Sequence, residues 1–140
     1  MLGVRGRIAL LALVASVLAG CGRSGAGLHP VEGQVLFNGQ PVEGAKVVLQ
    51  PKGEVDPLAS NPSGSTGADG KFKLSTYPSG DGAKPGEYVA CVLIPPGAEA
   101  RLAGAPLKNL PNRYVSRDTS GLAVIVKEGR NQLEPFQLQK

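Results

Sequence analysis

Cys21 is the residue whose surroundings point most directly to chemistry. It follows an apolar run over residues 8–18 and two small residues, Ala19 and Gly20. A basic start, a short apolar run and small residues in that order are typical of a secretory signal that ends at a processing site. The run is about half the length of a membrane-spanning helix, which needs roughly 20 residues. We therefore expect residues 1–20 to be a cleaved signal peptide.

Four consecutive residues at the end of this run resemble the lipobox of bacterial lipoproteins: Leu18, Ala19, Gly20 and Cys21. The resemblance implies cleavage before Cys21, a diacylglycerol group on its sulfur, and usually acylation of the new amino group with a chain such as palmitate. One acyl chain holds a protein only marginally, whereas two or three together anchor it stably. The alternative is an ordinary secretory signal that has a cysteine near its cleavage site.

The lipobox resemblance also predicts a location. The protein would be exported and lipid-anchored to a bacterial membrane, with the bilayer as its partner through acylated Cys21. Gly22 occupies the position where an aspartate often marks retention in the inner membrane, so the outer membrane is favoured in a cell that has one. Residues 21–29 are expected to form a flexible tether, which leaves residues 30–140 as one folded domain.

The composition favours short strands joined by turns. The chain has 140 residues with 20 Gly, 12 Pro and no Trp, so long helices are not expected in the domain. Its net charge is +4, but part of that charge belongs to Arg5 and Arg7 in the signal segment, and the other charges are scattered. A nucleic-acid-binding surface is therefore not expected.

Apolar and polar residues alternate in several short segments, which is the period of a strand with one buried face. Asn38-Gly39 follows the first segment and predicts a hairpin with a type I′ turn, because both central residues of that turn need positive φ. Residues 88–94 are the most apolar segment and are expected to form a central strand. We count about seven strands, which predicts an all-β sandwich.

Longer connections and the last strand are less regular. Residues 51–65 are expected to be a polar connection, and residues 95–111 a surface loop that crosses from one sheet to the other. The last strand is expected at about residues 133–138. Pro135 within it predicts an edge position or a bulge, because proline cannot donate to a strand ladder.

Three motifs in order resemble the carboxypeptidase regulatory-like domains: VEGQV with NGQPVEGA in residues 31–45, TGADGKF in residues 66–72, and PGEY in residues 85–88. The chain is similar to small bacterial lipoproteins built from one such domain. The resemblance implies a transthyretin-like (prealbumin-like) β-sandwich, which is generally non-catalytic. Seven residues of these motifs are expected to have structural roles in turns or in the core: Asn38, Gly39, Gly44, Asp69, Gly70, Phe72 and Tyr88.

No set of catalytic residues is found. His29 is the single histidine, which excludes zinc sites built from histidine pairs, and it is expected to be solvated at the edge of the tether. Asp69, Asp81 and Asp118 lie in turn-like segments without the dense spacing of a calcium site. Cys91 lies in an apolar segment and is expected to be a small buried side chain rather than a reactive thiol. No enzyme activity, cofactor or metal is expected.

Two kinds of function remain open. The leading hypothesis is a membrane-anchored, non-enzymatic lipoprotein that acts as a structural or interaction module of the cell envelope, with an envelope protein or a glycan as an unidentified partner. The alternative is a carbohydrate- or small-ligand-binding module that uses the loops of residues 51–65 and 95–111, since the loops of a sandwich commonly carry such sites. An accessory subunit of an enzyme is a third possibility, on which the sequence is silent.

Overall fold

The computed structural model describes residues 27–77, 80–97 and 110–140. In these residues nine short strands form two sheets that pack on a common core, and the helical structure consists of one 3₁₀ turn, Asn112–Val115. The predicted all-β sandwich is confirmed. None of the described residues belongs to a helix long and apolar enough to cross a bilayer. The predicted signal peptide, Cys21 and the tether up to residue 26 lie outside the described residues.

The first sheet is built around β1 (Val31–Phe37). Along one side of β1 lie β2 (Gln40–Pro41) and β5 (Lys71–Lys73), both antiparallel to it. Along its other side lie β8 (Asn131–Gln132) and β9 (Phe136–Leu138), both parallel to it. The first folded segment of the chain is therefore fixed by the last one.

The second sheet is antiparallel in the order β4, β3, β6, β7. Its strands are β3 (Lys46–Pro51), β4 (Ser63–Ser65), β6 (Gly86–Leu93) and β7 (Leu122–Val126). The longest strand, β6, lies inside the sheet, as the sequence predicts for its apolar segment. β4 is a strand that the sequence analysis assigns to a connection, because its small polar residues show no hydrophobic period.

The core takes alternate side chains from both sheets, as the strand period requires. It is formed mainly by these residues: Val31, Val35, Phe37, Val47, Leu49, Phe72, Leu74, Ala90, Val92, Val124, Val126, Phe136 and Leu138. Gly33 leaves room for the ring of Phe72 to cross β1, and that ring stacks on Phe136 with the centroids 5.8 Å apart. A side chain at position 33 would separate the two rings, so the packing of the first sheet depends on this glycine.

The crossing between the sheets differs from the prediction. Residues 94–121 join β6 to β7, which are neighbours in one sheet, so the predicted crossing by residues 95–111 is wrong. The last passage from the second sheet to the first is the short turn of residues 127–130, after which Asn131 pairs with Val31. The long loop is rich in Pro, Ala and Gly and has no periodic pattern that could indicate which strands it joins.

The folded domain begins earlier than predicted. Leu28 is 3% exposed, and the backbone of His29 exchanges two hydrogen bonds with Ala83 at 2.9 and 3.0 Å. Both residues belong to the predicted tether of residues 21–29. A single apolar residue after a Gly-rich stretch gives no strand signal, which is why the sequence places the boundary two residues late.

Candidate functional site

The two ends of the sandwich present different groups of loops. The leading end is defined by residues 28–30, where the folded chain begins. The connections at residues 52–62 and 75–85 and the turn at residues 127–130 also lie there, because Pro51 pairs with Tyr88 and Val126 pairs with Gly86 at the start of β6. The hairpin turn Asn38-Gly39 and residues 66–70 lie at the opposite end.

This arrangement bears on the predicted ligand-binding loops. Residues 51–65 leave the second sheet at the leading end, whereas residues 95–111 follow the end of β6 and leave it at the opposite end. Residues 98–109 lie outside the described part of the chain. The two loops therefore start at opposite ends of the second sheet.

His29 connects separate segments of the leading end by hydrogen bonds. Besides its two backbone bonds to Ala83, its ring atom Nδ1 accepts a hydrogen bond of 2.9 Å from the N–H of Gly129. The ring thus links the start of the domain to the turn between β7 and β8. The expectation that His29 is simply a solvated residue of the tether is wrong, because the side chain is half-buried and joins two segments of the fold.

Asn131 is a second organising residue at this end, and the sequence analysis does not identify it. Its side chain is largely buried. Its Oδ1 accepts from the N–H of Lys127 at 2.8 Å, and its Nδ2 donates to the carbonyls of Lys127 and Gly129 at 2.8 and 3.1 Å. The amide side chain therefore holds the turn and occupies the backbone groups of Lys127 as a neighbouring strand would. The asparagine just after Gly129-Arg130 could have indicated this role, because Asn side chains often hydrogen-bond to the backbone of a turn.

The predicted turn residues occupy turns. Asn38 and Gly39 have φ of 49° and 81°, and they join β1 to β2 in the two-residue hairpin that the sequence predicts. Asp69 Oδ1 accepts from the N–H of Lys71 at 3.0 Å, so its side chain closes the turn before β5. Gly44 and Gly70 both have positive φ, at 78° and 75°.

The predicted core residues are buried. Phe72 is 3% exposed and Tyr88 is 8% exposed. The Tyr88 hydroxyl donates to the carbonyl of Lys84 at 2.8 Å, so this side chain has the structural role that its motif predicts. Burial raises the pKa of Tyr88, so the phenol stays protonated and keeps this bond. All these contacts are structural.

The acidic residues of the turns do not gather. Asp69 lies in the turn before β5 and Asp118 follows the 3₁₀ turn. Asp81 accepts hydrogen bonds from the N–H groups of Thr76 and Tyr77. Across the described ranges, no three groups of the His, Cys, Asp or Glu type lie together in a way that could hold a metal ion.

Glu32 is the centre of a charged cluster on the outer face of the first sheet. Its carboxylate lies 3.3 Å from Lys73 Nζ and 3.5 Å from Arg130 Nη2. The hydrogen bond from Lys73, with the positive charge of Arg130, lowers the pKa of Glu32 against a smaller opposing effect of desolvation. A groove of about 440 Å³ runs beside the cluster, past Ser65 and Lys71. The Glu32 carboxylate is paired with both cations, so the cluster links β1 to β5 and to the turn before β8.

Cys91 is fully buried, as the sequence predicts, but on the outer face of β6. The segment after the 3₁₀ turn crosses this face: Arg117 Nη1 donates to the carbonyl of Pro51 at 3.0 Å, and the Ser120 hydroxyl donates to the carbonyl of Ala90. Burial raises the pKa of the Cys91 thiol, and the positive charge of Arg117 opposes that rise. The sulfur is therefore a packing group.

A second groove, of about 390 Å³, lies on the open side of the sandwich. One wall is β7, including Ala123 and Ile125. The other wall is the segment before β9 together with the start of β9, including Leu133, Pro135 and Phe136. Ile125 is 58% exposed. This groove lies between the edges of the two sheets, so it presents backbone as well as apolar side chains.

Comparison with known proteins does not identify the family. No protein-family model matches this chain, and no curated protein matches it. One solved structure with a similar arrangement is a DUF3823 family protein from Parabacteroides merdae, at 15% sequence identity and a TM-score of 0.44. The similarity covers 82% of this chain and 46% of that one, so the chain spans less than half of that protein's length. Such a distant likeness assigns no function.

Proposed function

We propose that the protein is a membrane-anchored, non-enzymatic lipoprotein that acts as a structural or interaction module of the bacterial cell envelope. The lipobox resemblance at residues 18–21 supports the anchor. The resemblance of residues 30–138 to carboxypeptidase regulatory-like domains, with the transthyretin-like sandwich that it implies, supports a non-catalytic role. The observation that carries the proposal is the early start of the fold, at Leu28.

The position of Leu28 sets how far the domain could stand from a bilayer. Residues 22–26 separate Cys21 from Gly27, and a chain of that length reaches about 20 Å when fully extended. An acylated Cys21 would therefore hold the leading end of the sandwich against the membrane surface. The opposite end, with the hairpin turn Asn38-Gly39, would face away from it and be available to an envelope protein or glycan.

Mass spectrometry of the protein from fractionated membranes tests the anchor. We expect a chain that begins at Cys21 and carries fatty acyl chains such as palmitate, recovered with the outer membrane in a cell that has one. Cys21→Ser should abolish the acyl mass and release the protein from the membrane fraction. Cys91→Ala is the matched control, because it removes the other cysteine and should leave the anchor unchanged.

A soluble chain cleaved at another bond, with Cys21 unmodified, would overturn the proposed anchor. The interaction role is tested separately, by chemical cross-linking in intact envelopes followed by purification of the protein. We expect a reproducible envelope protein or glycan that is recovered with the unmodified chain and lost with Cys21→Ser. Recovery of no macromolecule from intact envelopes would count against the interaction role while leaving the anchor standing.

A further inference from the structure

Among the described strands, β7 lies at the edge of the second sheet, with β6 as its single neighbour. The N–H of Lys52 donates to the carbonyl of Glu87 at 3.0 Å, so the backbone of Glu87 faces β3 and that of Tyr88, the next residue, faces β7. Tyr88 is opposite Val124. Val124 therefore directs its backbone toward β6, and its two neighbours, Ala123 and Ile125, direct theirs away from the sheet.

Only part of this outer edge is covered. The next residue with an outward backbone is Lys127, and the side chain of Asn131 occupies both its N–H and its carbonyl. No strand in the described part of the chain pairs with Ala123 or Ile125. Within residues 27–77, 80–97 and 110–140, two N–H groups and two carbonyls of β7 therefore have no backbone partner and can pair with another extended chain.

The sequence of β7 does not protect this edge. Exposed edges are usually blunted by charged residues or proline. β9 has such protection, because Glu134 and Pro135 precede it. β7 reads Leu-Ala-Val-Ile-Val and has neither. Ile125 in this strand is more than half exposed. An exposed apolar side chain with high strand propensity on a sheet edge favours association with another strand.

We propose that β7 pairs with β7 of a second copy of this chain, antiparallel and about a two-fold axis at Val124. In this register Ala123 of each copy lies opposite Ile125 of the other. All four free backbone groups of each strand then form hydrogen bonds, four bonds in total. The small Ala123 side chain also leaves space for the exposed Ile125 of the second copy, so the edge is complementary to itself.

Other symmetric registers use the edge less well. An axis at Ile125 would place Ala123 opposite Lys127, whose backbone groups Asn131 already occupies. An axis at Ala123 would place Ile125 opposite Gly121, which lies before the start of β7 and has φ of 68°, outside the strand region. The groove of about 390 Å³ beside β7 gives the incoming strand room on the side of Leu133 and Phe136.

A disulfide test reads out this register directly. Residues opposite each other in a hydrogen-bonded antiparallel pair have Cα atoms about 5.5 Å apart, which suits a disulfide. Ala123→Cys and Ile125→Cys are made separately in the full chain, carried on different tags and expressed together under oxidising conditions. We expect a disulfide-linked dimer that contains both tags, in much higher yield than either variant gives alone.

The controls use the same chemistry elsewhere. Val115→Cys is the matched control, because Val115 is an exposed apolar residue, 46% exposed, that lies away from the β7 edge. The unmodified chain reports any background from Cys21, and Cys91 is buried. A mixed dimer no more abundant than the Val115→Cys background would overturn the proposal, as would disulfides formed with other proteins alone.

A proline variant measures the strength of the pairing. Ala123→Pro removes an N–H that faces away from β6, so the pairing within the chain stays intact. The dimer then loses two hydrogen bonds. Sedimentation of the full chain should give a dimer dissociation constant about tenfold or more higher for Ala123→Pro than for the unmodified protein. Ile125→Lys keeps every N–H but places a charge on the edge and should weaken the dimer too. An unmodified protein that stays monomeric, or dimers unaffected by both substitutions, would overturn the proposal.

Discussion

At the leading end, the backbone of Gly82 lies so close to the backbone of His29 that no side chain fits between them. Gly82 has φ of 91°, and a Cβ added there would collide with the carbonyl of His29. Gly129 has the same φ of 91°, but a Cβ there would meet nothing within 4 Å. We expect Gly129→Ala to cost about 1–2 kcal/mol through its backbone conformation alone. Gly82→Ala should cost clearly more, because His29 must also move. Urea denaturation of both variants measures the difference, and equal losses would show that the His29 contact does not matter.

The pH dependence of stability should also depend on one residue, Glu32. Since Lys73 and Arg130 hold its pKa below the ordinary value in the folded protein, its ionised form stabilises the fold above that ordinary value, about 4.3. This contribution is lost as the pH falls through the lower native pKa. Glu32→Gln should therefore reduce stability at pH 7 and flatten its decline in acid. Denaturation midpoints between pH 7 and 3 test this.

Glu87→Gln is the matched control for that experiment. The Glu87 carboxylate lies 3.9 Å from Lys52 Nζ, and both side chains are more than half exposed, so this ion pair contributes little. Its substitution should leave the pH profile close to that of the unmodified protein. If Glu32→Gln and Glu87→Gln had the same small effect, the cluster around Glu32 would be an ordinary set of surface charges.

At the scale of elements, the sequence predicts those strands whose side chains carry the pattern. β1, with Val31, Val35 and Phe37 facing inward, follows the period of two, and the turn Asn38-Gly39 adopts the positive φ values that its residue types favour. β4 has small polar residues throughout and exists because its backbone pairs with β3. Such pairing depends on a distant strand and leaves no local mark, so the sequence cannot indicate it.

The same reasoning explains the candidate site. Asp69 and Tyr88 form hydrogen bonds over two and four residues, so local motifs could predict their structural roles. The contacts of His29 with Ala83 and Gly129 join segments far apart in the chain. The edge position of β7 likewise depends on which strands flank it, and only the assembled sheet shows that no described strand pairs with its outer side.

The turn between β7 and β8 should depend on Asn131. Its side chain makes the hydrogen bonds that fix Lys127 and Gly129. Asn131→Ala should destabilise the protein by about 1–3 kcal/mol, since it removes three hydrogen bonds to partly buried backbone groups of the turn. Hydrogen exchange of the Lys127 amide should accelerate before global unfolding. Gln132→Ala is the control, because Gln132 is exposed. A Lys127 amide that stays protected in Asn131→Ala would show that the turn holds without this side chain.

At the scale of the whole molecule, the two ends of the chain meet in one sheet. β9 pairs with β1 in parallel, so folding must bring together strands that almost the whole domain separates. The Tyr114 hydroxyl also accepts from the N–H of Gln139 at 3.0 Å, and Arg113 donates to the Gln139 carbonyl at 2.7 Å. The loop before β7 therefore holds the residue that follows β9, and neither sheet is complete without the other's connections.

Removal of the last strand should consequently unfold the domain. A chain that ends at Pro135 loses the Phe136 ring that stacks on Phe72 and the fully buried Leu138. Large-to-small substitutions at two such positions would cost about 2–5 kcal/mol each, against a total stability of about 5–15 kcal/mol for a typical domain. Circular dichroism and limited proteolysis should show an unfolded, rapidly cleaved chain. Removal of Lys140 alone, which is exposed, should change neither readout. A cooperatively folded chain without residues 136–140 would mean that the pairing of β9 with β1 closes the first sheet but does not determine whether the sandwich forms.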